Sequence, residues 1–153
     1  MFWRPLFPSP QLRTIAMIGA FAGLWLGGLI AIDLVETPAK FGVKGMDRSA
    51  AVELGQEVFH RFGMLEAAFA IAMLVFGNHG DAPSFLTAAS FALTVLALGV
   101  SPELRRRLNR TLRALLPEDR EKSETFRALH RLYVTADLAK MILLAMVLWR
   151  IIG

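Results

Sequence analysis

Glu66 and Lys140 each carry a charge inside a stretch that is otherwise apolar. An ionised group at the centre of a bilayer costs on the order of 2.5–3.5 kcal/mol by insertion scales, so such groups turn inward and pair. Lys140 can reach Asp137 at i,i+3 on its own helix, and Glu66 across a helix interface. Asp33, Glu36, Glu57, His60, His130 and Tyr133 belong to the same polar set. Two kinds of chemistry suit such a cluster. One is a pocket that binds or moves a small solute, a proton or an ion. The other is an ion pair that fixes the register of packed helices.

Metal chemistry has weaker support. Glu57 and His60 are spaced like the Glu-x-x-His pair of carboxylate-bridged di-metal bundles, and His130 is a third candidate ligand. That pattern needs a second Glu-x-x-His, which the chain lacks, so a solvated helix start is the better reading. Cysteine is absent, which excludes disulfides, thiolate metal sites and cysteine nucleophiles. There is no Gly-rich phosphate loop, no G-x-S-x-G elbow and no H-E-x-x-H. The expectation is a protein that is not an enzyme and needs no cofactor.

The elements that hold these residues must be apolar helices. The AVILMFWYC class makes up 55% of the 153 residues, and 12 more are glycine. Soluble domains reach roughly 45–50% on that wider count. Disorder, collagen and nucleic-acid tails are excluded. Residues 15–32, IAMIGAFAGLWLGGLIAI, run without a charge, long enough to cross about 30 Å of hydrocarbon with a turn added. Pro38 disfavours helix at Thr37, so this helix is expected to end near Glu36. Four spans are expected, at about 14–36, 56–77, 84–100 and 131–151. Asp47 or Ser49 can cap the second helix. His79 falls in the Gly-, Asn- and Pro-rich turn after it. Ser101-Pro102-Glu103 reads as N-cap, N1 proline and first-turn acid. It would open a short basic amphipathic helix, about 102–115, in the lipid interface. Leu104, Leu108, Leu112 and Leu115 form its apolar row, and Arg105, Arg106, Arg107, Arg110 and Arg113 its lipid-facing basic set. Pro117 ends that stretch. The fold class is all-α: an integral membrane four-helix bundle with this interfacial helix between helices three and four, as a single membrane domain.

Four spans put both termini on one side. The two loops on the other side, residues 36–61 and 101–131, hold thirteen Lys/Arg against three on the termini's side. The positive-inside rule then places both termini outside, in a bacterial inner membrane. The expected contacts are the bilayer and its anionic lipids, since arginines without interleaved aromatics suit headgroups better than nucleic acid. Gly19, Gly23 and Gly27 repeat every four residues, which allows close packing inside the bundle or a homodimer face. Thr87, Ser90 and Thr94 share a helix face and can bond across helices or to their own carbonyls. Trp3 and Trp149 suit interface anchoring, whereas Trp25 is deep enough to pack in the bundle.

The first helix and its exit carry a family resemblance. Trp25-Leu26-Gly27-Gly28 followed by Pro38-Ala39-Lys40-Phe41 resembles the W-x-G … P-x-x-F pattern of the transmembrane protein 205-like family. Glu57-Val58-Phe59-His60-Arg61-Phe62 is similar to the aromatic start of that family's second helix, and His130 to its histidine entering the last helix. The resemblance implies a four-helix integral membrane protein with a domain of unknown function. Glu66, Asp137 and Lys140 match no motif of the family. Three functions remain open: a solute- or ion-binding membrane protein, a structural, assembly or lipid-binding subunit, and a metal-dependent membrane enzyme.

Overall fold

The computed structural model describes residues 9–78, 82–115 and 123–153. Trp3, His79 and Pro117 lie outside the described residues. Among those described, every regular element is helical. They are α1 (Pro10–Ile30), α2 (Thr37–Gly42), α3 (Arg48–Gly77), α4 (Ser84–Thr94), α5 (Ser101–Ala114) and α6 (Glu124–Ile152). Three helix starts are capped as their sequences dictate. Ser9 accepts from Leu12 N–H ahead of Pro10, Asp47 from Ser49 N–H, and Ser123 from Phe126 N–H.

Two boundaries differ from the sequence expectation. The first helix does not end at Glu36. It passes through a π-helical turn over Ala31–Glu36 and continues as α2 to Gly42. The third helix does not stop for a cap at Ser101. A second π-helical turn, Val95–Val100, carries α4 directly into α5, and Ser101 keeps helical dihedrals of −62° and −45°. Both turns are followed at the second residue by proline, Pro38 and Pro102. A proline ring collides with the carbonyl four residues back and offers no N–H. Those carbonyls belong to Leu34 and Leu98, each inside the widened turn. The i→i+5 spacing therefore lets the helix accept the ring instead of breaking. Chain reversal comes later, where Val43 is extended and Gly45 takes φ +83°.

With these continuations, four helical runs are long and apolar enough to cross a membrane: Pro10–Gly42, Ser49–Gly77, Ser84–Ala114 and Glu124–Ile152. Four such runs define a multi-pass integral membrane protein. α1 packs against both α3 and α6, α3 against α4, and α5 against α6. The core joins Ile18, Ala22, Trp25 and Leu29 of α1 to Ala70 and Met73 of α3, Leu86 and Leu93 of α4, and Leu144 and Val147 of α6. Outward positions such as Leu24, Ile71, Phe91 and Ile142 are exposed apolar residues, as a lipid-facing surface requires.

The glycines do not pack as their spacing suggests. A Cβ at Gly23 or Gly27 would meet nothing within 4 Å, and one at Gly19 only the end of Ile151 at 3.5 Å. The close approach is at Gly28, where a Cβ would lie 2.6 Å from the Phe62 ring. Of the three hydroxyls on the shared face of α4, two bond as expected, while Ser90 Oγ is buried without a partner among the described residues. Thr87 donates to the Gly77 carbonyl at 2.6 Å, and Thr94 to Ala70 of α3 and Ser90 of its own helix.

Candidate functional site

Trp25 of α1, Glu66 of α3 and Lys140 of α6 meet near the middle of their helical runs. Lys140 of α6 is fully buried there. Its Nζ lies 2.5 Å from Glu66 Oε1 on α3 and 2.7 Å from Asp137 Oδ1 one turn back. Glu66 Oε1 also accepts from Trp25 Nε1–H of α1 at 3.0 Å. One carboxylate oxygen thus ties three spans together, and the indole donor explains why this tryptophan sits deep. Asp137 Oδ1 touches the ammonium without hydrogen-bond alignment and has no other partner. The sequence expectation put Asp137 first and Glu66 second as partners of Lys140. The shorter and better aligned contact is with Glu66. An i,i+3 carboxylate must bend back along its own helix, whereas Glu66 approaches from the facing one.

Asp137 opens the cluster onto a cavity of about 940 Å³. Asp33, Lys40, Phe59, Arg105, His130 and Tyr133 are among its lining residues. Asp33 sits in the first π turn, within electrostatic reach of Asp137, Lys140 and Glu66. Glu36 holds Lys40 Nζ at 3.2 Å. Tyr133 is buried, with its ring edge-on to Phe59 at 5.8 Å. His130 stays exposed, stacked on Phe126 at 6.1 Å between ring centres.

Glu57 and His60 do not join the cluster. Both are exposed, and Glu57 pairs with Arg61 at 2.6 Å. They lie on the outer face of α3, away from the face that carries Glu66. Glu57, His60 and His130 are therefore not brought together, and no group of three potential metal ligands occurs among the described residues.

Arg105 departs from its expected place. Arg106, Arg107, Arg110 and Arg113 are exposed, but Arg105 turns inward, and its guanidinium donates to Tyr133 Oη at 3.5 Å. The leucine row of α5 also faces the protein. Leu112 is buried and, like Leu108, lines the cavity. α5 packs against α6, with Leu112 buried and Leu104, Leu108 and Leu115 half-buried. The signal for Arg105 was present in the spacing, since Ser101, Arg105, Leu108 and Leu112 fall on one helical stripe.

Lys40 is the site residue that sequence reasoning missed, because helix was expected to stop before it. It is buried, with Nζ 5.6 Å from the Phe41 ring centre and 5.5 Å from that of Phe59. Two glycines of α3 make room for these cations. A Cβ at Gly55 would come within 2.5 Å of Lys40 Nζ, and one at Gly63 would overlap the Arg105 guanidinium. Gly55 and Phe59 line the cavity, and Gly63 and Glu66 continue the same helical stripe of α3 beyond it.

Fold and site together define a multi-pass membrane protein with a buried ion-pair cluster at the end of a cavity. No family model, curated protein or solved structure matches the chain.

Proposed function

We propose that this protein is a non-enzymatic four-helix membrane bundle that binds or moves a small solute or ion through the Glu66–Lys140–Asp137 cluster and its cavity. One observation carries the reading: a fully buried lysine shares two carboxylates, one of which faces a cavity large enough for a small molecule. Two carboxylates and one ammonium leave a net negative charge in a medium that penalises it. A proton or a cation completes that balance, and a group that takes up and releases one is the working part of an ion or proton path. A register device would need only one carboxylate and no cavity.

The proposal also covers the setting. Membership of the transmembrane protein 205-like family rests on the W-L-G-G and P-A-K-F motifs. Arg106, Arg107, Arg110 and Arg113 meet anionic headgroups at the membrane surface. Gly23 and Gly27, open within the single chain, support a second reading as an assembly subunit that pairs through this face.

Purified protein in vesicles containing a trapped pH-sensitive dye tests the ion path. Wild type should dissipate an imposed proton gradient faster than empty vesicles, and Glu66→Gln and Lys140→Met should lose that excess. A wild type no faster than empty vesicles, or equal to both variants, removes the proton limb of the reading.

A further inference from the structure

We propose that the cavity takes a zwitterionic amphiphile, its anionic group on Arg105, its cationic group beside Asp33, and its apolar body against the aromatic and leucine lining. The inference rests on the cavity being the solute site and does not depend on proton movement.

The argument begins from the charges that are already satisfied. Lys40 is paired with Glu36, and Lys140 with Glu66 and Asp137. Two lining groups have no such partner. Among the described residues, Arg105 forms no ion pair, its one hydrogen bond is a long one to a neutral phenol, and its Nε is buried without a partner. A guanidinium is built for bidentate contact with a carboxylate or phosphate, so this one has unused donors at the cavity wall. Asp33, half-buried in the π turn of the first helix, has neither a hydrogen bond nor an ion pair among the described residues.

A ligand with one charge would satisfy one of these groups and strand the other. An anion alone would also meet the net negative charge of Asp33 and the Glu66–Asp137–Lys140 cluster. A cation alone would leave the Arg105 donors unmatched. A zwitterion answers both. Phe59, Tyr133 and Phe126 line the cavity, and aromatic rings suit a quaternary or primary ammonium. Leu108, Leu112 and Met141 supply apolar wall. About 940 Å³ is near the upper end of small-molecule sites, roughly 300–1,000 Å³.

Three probes with one dodecyl tail separate the contributions: dodecylphosphocholine (both charges), dodecyl phosphate (anion) and dodecyltrimethylammonium (cation). Each is titrated into the full chain in maltoside micelles, with quenching of intrinsic tryptophan fluorescence as the readout. Dodecylphosphocholine should bind at least tenfold tighter than either control. Arg105→Gln should erase its advantage over dodecyltrimethylammonium, and Asp33→Asn its advantage over dodecyl phosphate. Because each variant should keep its affinity for one single-charge probe, that retained binding reports a folded cavity. Equal binding of all three probes would leave a solute cavity but overturn the zwitterion. Binding of none would remove the cavity reading itself. Reconstitution distinguishes a free amphiphile from a bilayer lipid. Loss of probe binding in phosphatidylethanolamine discs, with retention in phosphatidylglycerol discs, assigns the ligand to zwitterionic bilayer lipid. Retention in both assigns it to a free amphiphile, and loss in phosphatidylglycerol discs alone overturns the proposal.

Discussion

Lys140 illustrates how a single buried charge constrains its surroundings. Its ammonium is stable only while Glu66 and Asp137 hold it, because removing one partner of a buried pair leaves an uncompensated charge. We therefore expect Lys140→Met to destabilise the protein by about 3–5 kcal/mol. Combining Lys140→Met with Glu66→Leu should cost much less than the sum of the two, since neither charge is then left alone. Thermal unfolding of the four proteins in detergent forms a double-mutant cycle, and strictly additive effects would show that no pair exists. Trp25→Phe keeps the ring but removes the N–H that reaches Glu66. It should cost about 1.5–3 kcal/mol, the range for a hydrogen bond to a charged group, on the same measurement. A neutral result would mean that the indole is held by packing alone.

Among the elements, the close contacts fall where side chains from the facing helix arrive, which spacing on one helix does not disclose. Gly19, Gly23 and Gly27 have the pattern of a packing motif, yet it is Gly28 that receives a ring from α3. Gly28→Ala should push Phe62 aside and cost about 1–3 kcal/mol by overpacking, whereas Gly27→Ala, facing open space, should be close to neutral. Thermal stability of the two variants decides this, and Gly28→Ala combined with Phe62→Leu should recover most of the loss. The polar cluster was legible because charge is conspicuous in an apolar run. Glu66, Asp137 and Lys140 could be named, and the matching depth of Glu66 and Lys140 followed from counting spans. Lys40 and Arg105 were hidden by boundaries. Pro38 and Pro102 read as helix stops or starts, and the π turns that let the helices run through them leave no pattern in hydropathy. The Glu57–His60 pair shows the converse, since ligand spacing along one helix does not say which way that face points.

For the whole molecule, the site's position makes the orientation of the chain a functional question. α1, α3 and α6 bring the cavity to the end where the first π turn, the start of α3 and α5 lie. In the sequence, the segments 36–61 and 101–131 that the spans put on that side hold thirteen Lys/Arg, against three on the other side. Lys/Arg within short loops near the span ends set orientation, and Asp/Glu contribute little. The cavity end should therefore face the cytoplasm, with Ser9 and Gly153 outside, so that solute enters the site from within the cell. Arg106, Arg107, Arg110 and Arg113, exposed along α5, would then face the anionic leaflet, each contributing about 1 kcal/mol near the surface. Fusing Gly153 to an enzyme that is active only outside the cytoplasm should yield an active reporter, and fusion to one active only in the cytoplasm a silent one. The inverted result would move the cavity mouth to the outer face and leave the four spans unchanged. Replacing the four exposed arginines with glutamine should weaken the bias, leaving nine basic residues in 36–61 and 101–131 against three on the other side to hold the orientation. A mixed reporter signal from that variant is the expected outcome. An unchanged signal would show that the remaining nine basic residues set the topology without the four arginines of α5.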